Sequence, residues 1–244
     1  MFRKLYRAPS MAAQCADEIR TAILTGELRA GDKLMPEREL ADAMGVNRVT
    51  LRNALGQLQA AGLIRAKQGS GYTVERFRDC GGPELLPAIV RVRRDDPEQR
   101  IELVADLLLA RRHLAHAALS KIASMDQVEL EGSVLAFQRL EDACERGDIQ
   151  AIAEADIGVV AAILDATGSP VFRLALNPVA AALDELPELR EFIYREPDSN
   201  VQGYRVLLGW MSVREPDGVP MLVAMLEQRD RETVALMREE MEDE

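Results

Sequence analysis

The sequence predicts a mainly α-helical protein, with an N-terminal winged helix–turn–helix followed by a C-terminal all-helical bundle. Residues 36–74 read as helix, turn, helix and a glycine-tipped β-hairpin, in that order. From residue 98 onward, apolar residues recur at helical spacing, and the stretches are separated by breaks that contain glycine or proline. The two parts also differ in charge. Together these observations indicate a small domain whose chemistry differs from that of a larger helical body.

The charge of the chain is divided unevenly. The sequence of 244 residues has a formal net charge of −11. Residues 1–78 carry 13 Lys and Arg against 8 Asp and Glu, whereas residues 79–244 carry 17 against 33. A basic N-terminal module on an acidic body fits a DNA-binding domain joined to a part that has a different partner.

Several classes of protein are disfavoured by the sequence. The three cysteines, Cys15, Cys80 and Cys144, are widely spaced and form no zinc-binding pattern, which fits a reducing cytoplasm. The longest uncharged apolar stretch, 174–183, is too short to span a bilayer, and no signal peptide opens the chain. No phosphate-binding loop, nucleophile elbow, zincin or dinucleotide-binding pattern is present. We therefore expect a cytoplasmic protein with no catalytic residues and no membrane partner.

The first predicted helix spans about residues 11–25, with Ser10 as its N-cap, and a loop follows at 26–32. Pro36 suits the first position of the next, short helix, because proline lacks the N–H that is unsatisfied there. Gly45 then allows a tight turn with a positive φ.

The second helix of the helix–turn–helix is predicted at about 48–61, with Asn47 as its N-cap and Gly62 after its end. Arg48 and Arg52 are four residues apart, so they are neighbours on the helix surface. The apolar set that we expect to face the core consists of Val49, Leu51, Ala54, Leu55 and Leu58.

A β-hairpin wing is predicted next, with strands at 63–67 and 72–74 joined by the glycine-rich tip Gln68-Gly69-Ser70-Gly71. The segment from the short helix to the wing resembles the DNA-binding domain of the GntR family of transcription regulators. The residues shared with that family's pattern are Glu37-Arg38-Glu39-Leu40, Val46, Arg48, Thr50, Arg52, Gly69 and Gly71. The chain departs from the pattern at Met35-Pro36, where Pro-Ser is usual, which moves only the helix start.

The resemblance implies a double-stranded DNA partner with a palindromic operator, bound by a homodimer. Arginine pairs bidentately with guanine, so the arginines of both helices are expected to recognise bases, with Thr50 on a phosphate and the wing glycines near the minor groove. The candidate DNA-binding residues are Arg38, Asn47, Arg48, Thr50, Arg52, Gln68, Gly69 and Gly71. The alternative is a small surface subdomain whose arginines are ordinary solvated side chains.

The domain boundary is predicted just after the wing, where the charged, glycine-containing sequence ERFRDCGGP begins. The predicted division is a winged helix–turn–helix domain at 1–76, a linker at 77–97, and a helical effector-binding and dimerisation domain at 98–244. The bundle helices are predicted at about 98–123, 126–146, 148–167, 170–184, 199–213 and 218–242, with Asp230 as a candidate break in the last.

The helical part resembles the effector domain of the FadR subfamily of GntR regulators. The resemblance rests on Leu107-Leu108-Leu109-Ala110-Arg111 and on the junction Gly168-Ser169-Pro170-Val171-Phe172. Most members hold a divalent metal through one Asp and three His, with the first His four residues after the Asp. Here Asp156 is followed by Val160, and the two histidines, His113 and His116, belong to an earlier helix. We therefore expect no metal, and we interpret the histidines as ordinary polar residues.

The metal-free version of this effector domain binds an acyl-CoA thioester, so the resemblance implies a long-chain fatty acyl-CoA as the small-molecule effector, with no other cofactor. The apolar surface expected to receive it comes from Ile163, Leu164, Val171, Phe172, Leu176 and Leu207. The candidate ligand-binding residues are Arg111, Phe172, Tyr204 and Thr233.

Three alternatives remain open at this point. Composition does not separate a ligand tunnel from a plain bundle core, in which Arg111 is ion-paired or on the surface. A regulator that responds to another small organic acid has the same sequence features. A ligand-independent, architectural DNA-binding protein needs only the winged helix–turn–helix.

Overall fold

The structure, a computed structural model, describes residues 10–67 and 69–243. They fold as two compact units, divided between Val92 and Arg93. The first unit contains short helices and an antiparallel hairpin, and the second is helical. The predicted fold class, a mainly α-helical chain with a winged helix–turn–helix followed by a helical domain, is confirmed.

Helix α1 spans Met11–Thr25, as the sequence predicts. The hydroxyl of Ser10 caps its N-terminus by accepting a hydrogen bond from the Ala13 amide at 3.2 Å. Four residues at helical spacing are buried in the core of the first unit: Cys15, Ala16, Ile19 and Ile23.

The helix–turn–helix consists of α2, Glu37–Ala43, and α3, Arg48–Ala60. Pro36 is the N-cap of α2, so its prediction as the first helical residue was wrong by one position. The turn between the helices is made by Gly45, whose φ of 66° is a left-handed conformation that glycine adopts at little cost. The local sequence therefore fixes the geometry that presents α3.

The wing is formed by β1, Ile64–Lys67, and β2, Gly71–Val74. The strands pair antiparallel in the register that places Ile64 opposite Val74. Both residues are buried, so the base of the hairpin is fixed to the core. The loop before α2 pairs with the other edge of β2 through residues 31–34.

The segment after the wing is largely helical. It contains α4, Phe77–Cys80, a single 3₁₀ turn, and α5, Leu86–Arg93. Leu85 is buried in the core of the first unit, and Ile89 packs against it. Much of the stretch predicted as a linker, 77–97, is thus helix, and part of it packs with the first unit.

The second unit is a set of packed helices whose core includes Leu140, Ile152 and Met211. Helices α7 and α8 pack together, as do α6 and α12. Among the described residues, no helix is long and apolar enough to cross a membrane. The bounds of the helices are α6 Pro97–Ala123, α7 Glu131–Arg146, α8 Ile149–Ala166, α9 Pro170–Leu183, α10 Pro187–Ile193, α11 Pro197–Val213 and α12 Gly218–Asp243.

Three details of the bundle differ from the prediction. Helix α7 starts at Glu131, five residues later than predicted, and no capping side chain marks that start. Helix α10 was missed because Pro187 was read as a break, although proline is favoured at the first position of a helix. Helix α12 continues through Asp230 without a break.

Candidate nucleic-acid interface and ligand cavity

The surface of α3 presents two cationic side chains on neighbouring turns. Arg48 and Arg52 are both exposed and are four residues apart, so they lie on one side of the helix. Arg38 is exposed on α2. Guanidinium groups in this setting are suited to guanine edges and to phosphates, because their planar N–H donors form paired hydrogen bonds.

Arg52 is oriented by an ion pair with Glu37 at the start of α2. Its Nε donates to Glu37 Oε2 at 2.8 Å. This hydrogen bond and the charge of the carboxylate raise the pKa of the Arg52 guanidinium above its usual value. The two Nη groups take no part in this hydrogen bond, so it holds the side chain while leaving its outer edge for a partner.

Asn47 and Thr50 are joined by the cap of α3. The Oδ1 atom of Asn47 accepts a hydrogen bond from the Thr50 amide at 2.9 Å. Asn47 is exposed and Thr50 is half-buried. The oxygen of Asn47 therefore stabilises the helix start, and only its NH₂ group is left for a contact with DNA.

Val49 does not belong to the core, so its prediction as a core residue was wrong. Its side chain is 70% exposed. Successive helical residues are about 100° apart, so a residue two positions before Leu51 lies on the far side of the helix. The same rule would have found Val49, and with it Asn53, as candidate DNA contacts that the sequence analysis missed; Asn53 is exposed too. The rest of the predicted apolar set is buried: Leu51, Ala54, Leu55 and Leu58.

The tip of the wing presents exposed backbone. Gly69 and Gly71 are exposed, with φ of 74° and 80°. Gln68, the third candidate at the tip, lies outside the described residues. On the flank of the wing, Arg65 forms an ion pair with Glu75 at 2.6 Å.

The second unit contains a cavity of about 680 Å³. Side chains from α6, α8, α9, α11 and α12 line it, and they are mostly apolar. This volume lies within the range of pockets that bury a small organic ligand. The larger apolar lining residues are Leu114, Leu119, Val160, Ile163, Leu164, Leu176, Leu207 and Leu222.

One part of the cavity wall is polar and is centred on the buried carboxylate of Asp156. Tyr194 and Tyr204 donate their hydroxyls to its two oxygens, at 3.0 and 2.8 Å. Burial, together with the charge of Asp156, raises the pKa of both tyrosine hydroxyls well above their usual value. Both tyrosines therefore stay protonated and can donate hydrogen bonds. These two hydrogen bonds satisfy the buried carboxylate of Asp156 without a bound cation.

Arginines supply the positive charge of the cavity wall. Arg111 and Arg112 converge on the buried carboxylate of Asp230, at 2.6 and 2.9 Å. Burial raises the pKa of Asp230, while the two arginines act in the opposite direction. Arg229 also lines the cavity, and its Nη2 donates to the Ile193 carbonyl at a long 3.5 Å.

The predicted ligand-binding residues fall in different places. Arg111 and Tyr204 line the cavity. Phe172 packs against a small apolar cluster whose members Ala118, Leu164 and Leu176 line the cavity, but Phe172 itself does not line it. Thr233 donates to the Arg229 carbonyl at 3.0 Å and does not line the cavity either. Val171, predicted as part of the apolar surface, is 70% exposed instead. The sequence analysis missed Arg229, Asp230 and Tyr194, since their partners are remote in the sequence.

The expected absence of a metal stays a prediction. Among the described residues, no group of three or more His, Cys, Asp or Glu side chains is close enough to hold a metal ion. Both oxygens of Asp156 accept from tyrosines, and His113 and His116 are exposed on α6.

Comparison with known proteins gives three kinds of similarity. Residues 11–74 match the family described as bacterial regulatory proteins, gntR family. The HTH-type transcriptional regulator Mce2R of Mycobacterium tuberculosis is 33% identical over 180 residues, which are 71% of this chain and 73% of that protein. The fatty acid metabolism regulator protein of Cronobacter sakazakii is 27% identical over 171 residues, 70% of this chain and 68% of that protein. The solved structure of Lar, which controls the Listeria monocytogenes agr system, aligns with a TM-score of 0.60 over 96% of this chain and 99% of that one, at 14% identity, and so shares the fold.

Proposed function

The chain belongs to the GntR family of bacterial transcriptional regulators, and from this premise we propose a ligand-gated regulator. It binds a palindromic operator as a homodimer, and a long-chain fatty acyl-CoA held in the second unit weakens that binding. The observation that carries the ligand part is the apolar cavity of about 680 Å³ with arginines in one wall. Its proposed DNA partner supports a location in the cytoplasm.

DNA recognition is assigned to the exposed arginines of α2 and α3. Replacing Arg48 or Arg52 by Ala should weaken operator binding by about 1–3 kcal/mol and relax specificity at one base pair, because a bidentate contact with guanine is lost. Fluorescence anisotropy with operator and with random DNA of equal length measures both effects. An equal loss on the two DNAs would mean that these arginines contact phosphates only.

The homodimer is supported by the small size of one winged helix–turn–helix. A single module of this kind buries too little surface for tight, specific binding, and a two-fold dimer matches a palindromic operator. Analytical ultracentrifugation at micromolar concentration should show a dimer. A monomer that still binds its operator tightly would contradict this part of the proposal.

The volume and lining of the cavity favour a ligand with a long apolar part. Aliphatic side chains from several helices surround it, and burial of apolar surface is the main favourable term for such a ligand. The similarity to fatty acid metabolism regulators, at 27% identity, supports the same ligand class.

The polar wall suits the thioester and phosphate end of an acyl-CoA. Among the described residues, the hydrogen bond of Arg229 is a long one to a carbonyl, so its guanidinium is the better placed of the two lining arginines to bind an anion. Arg111 commits one Nη to Asp230 and keeps its other N–H donors. The hydroxyl oxygen of Tyr204, which donates to Asp156, still accepts.

Isothermal titration with oleoyl-CoA tests this proposal. Arg111→Ala should reduce the affinity for oleoyl-CoA about tenfold, and should affect free oleate less, because oleate brings no phosphates. Arg112→Ala is the matched control: it also removes one bond to Asp230, but Arg112 does not line the cavity. Equal losses in the two variants would show that Arg111 acts only through the stability of the fold.

A smaller organic acid is the second candidate, favoured by the polar wall alone. Asp156, Tyr204 and Arg229 together offer acceptors and donors in a small volume. No heat with oleoyl-CoA, but saturable heat with short hydroxy acids or dicarboxylic acids, would select it. No heat with either class, at constant operator affinity, would select a ligand-independent regulator.

A further inference from the structure

Val49 is the large apolar side chain among the exposed residues of α3, whose longer exposed side chains are otherwise polar. At 70%, it is the most exposed large apolar residue among the described residues of the first unit. The exposed side chains around it on α3 are Arg48, Arg52 and Asn53. Helix propensity does not account for valine at this position, because valine is a weaker helix former than alanine or leucine.

The position of Val49 is that of a residue which reaches base edges. It is the second residue of α3, and in helix–turn–helix proteins the N-terminal residues of the second helix enter the major groove. It is one position after Arg48 and three before Arg52, so it is a neighbour of Arg52 on the helix surface. Its branched side chain is stiff at χ1, so its two methyl groups are held in place before DNA arrives.

We propose that Val49 reads a thymine in each half-site by packing its methyl groups against the C5 methyl of that base. Thymine is the one standard base that carries a methyl group in the major groove, so an apolar contact there discriminates without a hydrogen bond. This inference rests on the operator binding described above. It assigns a T·A pair next to the pairs that the arginines recognise.

Removal of single methyl groups from the operator tests the contact. Each thymine is replaced in turn by deoxyuridine, which lacks only the C5 methyl, and the affinity is measured by fluorescence anisotropy. In the wild-type protein, one thymine per half-site should show a loss of about fourfold, the value for one buried methyl group. In Val49→Ala, the same replacement should change the affinity by less than about half of that factor.

Val171→Ala is the matched control, since Val171 is also 70% exposed on a helix but lies in the second unit. It should keep the full sensitivity to deoxyuridine. The proposal is overturned if no thymine is sensitive in the wild-type protein, or if Val49→Ala keeps the sensitivity. Operator binding itself is measured in every arm, so its failure is distinguishable from failure of the methyl contact.

Discussion

The two units of this regulator use arginine in opposite ways. On α3, Arg48 and Arg52 are exposed, and the ion pair of Arg52 with Glu37 is itself at the surface. In the bundle, Arg111 and Arg112 converge on a buried carboxylate from a helix more than a hundred residues later. The same side chain is thus exposed at the surface in one unit and ion-paired inside the fold in the other. The two settings differ in the burial of the arginine and in the distance along the sequence to its partner. Substitutions in one unit can therefore be compared with substitutions in the other.

The largest effect on stability is expected when Arg111 and Arg112 lose their shared partner, Asp230. Asp230→Ala leaves two arginines, mostly buried, without their counter-charge. The free energy of unfolding of the second unit should fall by about 3 kcal/mol, the lower end of the range for a broken buried pair, because both arginines keep some contact with water. The single tryptophan, Trp210, is buried in this unit, so its fluorescence in urea measures the loss.

The matched control for that change is Glu227→Ala on the same helix. Glu227 pairs with Arg231 one turn away at 2.5 Å, and both side chains are exposed enough to be screened by water. The expected loss is below about 1 kcal/mol. Similar losses in the two variants would mean that burial does not distinguish the two kinds of pair.

A second prediction concerns the first unit alone. Gly62, just after α3, has φ of 71°, and a Cβ there would overlap the carbonyl oxygen of Cys80. Gly62→Ala should therefore destabilise this unit by about 2 kcal/mol or more, since the left-handed conformation alone costs about 1–2 kcal/mol. Hydrogen exchange of amides in α1 and α3, followed by mass spectrometry, measures it without the tryptophan of the other unit.

Gly56→Ala, inside α3, should have the opposite effect to Gly62→Ala. Gly56 is exposed inside α3, and an added Cβ meets nothing within 4 Å. Alanine should stabilise the helix by about 1 kcal/mol, because glycine is the poorer helix former. Slower exchange in Gly56→Ala and faster exchange in Gly62→Ala are both required. Any other pair of signs would contradict the packing described for the end of α3.

The stability of the second unit should fall at alkaline pH. The pKa values of Tyr194 and Tyr204 are raised in the folded state by burial and by the neighbouring carboxylate of Asp156. Their stabilising effect is complete below the unfolded-state pKa of 10.0 and is lost as the pH rises above it, because only the unfolded chain then releases these protons. For buried Tyr194, the free energy of unfolding should fall by up to about 1.4 kcal/mol per pH unit. Tyr194→Phe should show a shallower fall between pH 10 and 11 in urea titrations followed by Trp210 fluorescence; an unchanged slope would contradict the assignment.

The smallest effect is expected from a chelator. The tyrosine hydroxyls already satisfy Asp156, so EDTA should change neither the unfolding curve nor oleoyl-CoA binding. Elemental analysis of protein purified without chelator should find no stoichiometric zinc, nickel or manganese. A full equivalent of metal that is lost with EDTA, along with stability, would contradict the prediction.

The two units also differ in how much of them the sequence could predict. The helix–turn–helix and the wing were located to within about a residue, because their determinants are local: a glycine in the turn, an asparagine cap and a short hairpin. The one error in α3, Val49, came from setting aside the helical spacing. In the bundle, Asp156 meets Tyr204 across 48 positions and Arg111 meets Asp230 across 119, so no local pattern marks either contact. Thus most of the helices were predictable, whereas the polar wall of the cavity needed the structure.

In the proposed function, the ligand in the second unit and the operator on the first weaken each other's binding. The operator dissociation constant is measured by anisotropy without and with saturating oleoyl-CoA, and the oleoyl-CoA dissociation constant by calorimetry without and with operator. Both dissociation constants should rise by the same factor, about 5- to 150-fold, because a coupling free energy is reciprocal. Oleoyl-CoA that binds while the operator dissociation constant stays unchanged would contradict it.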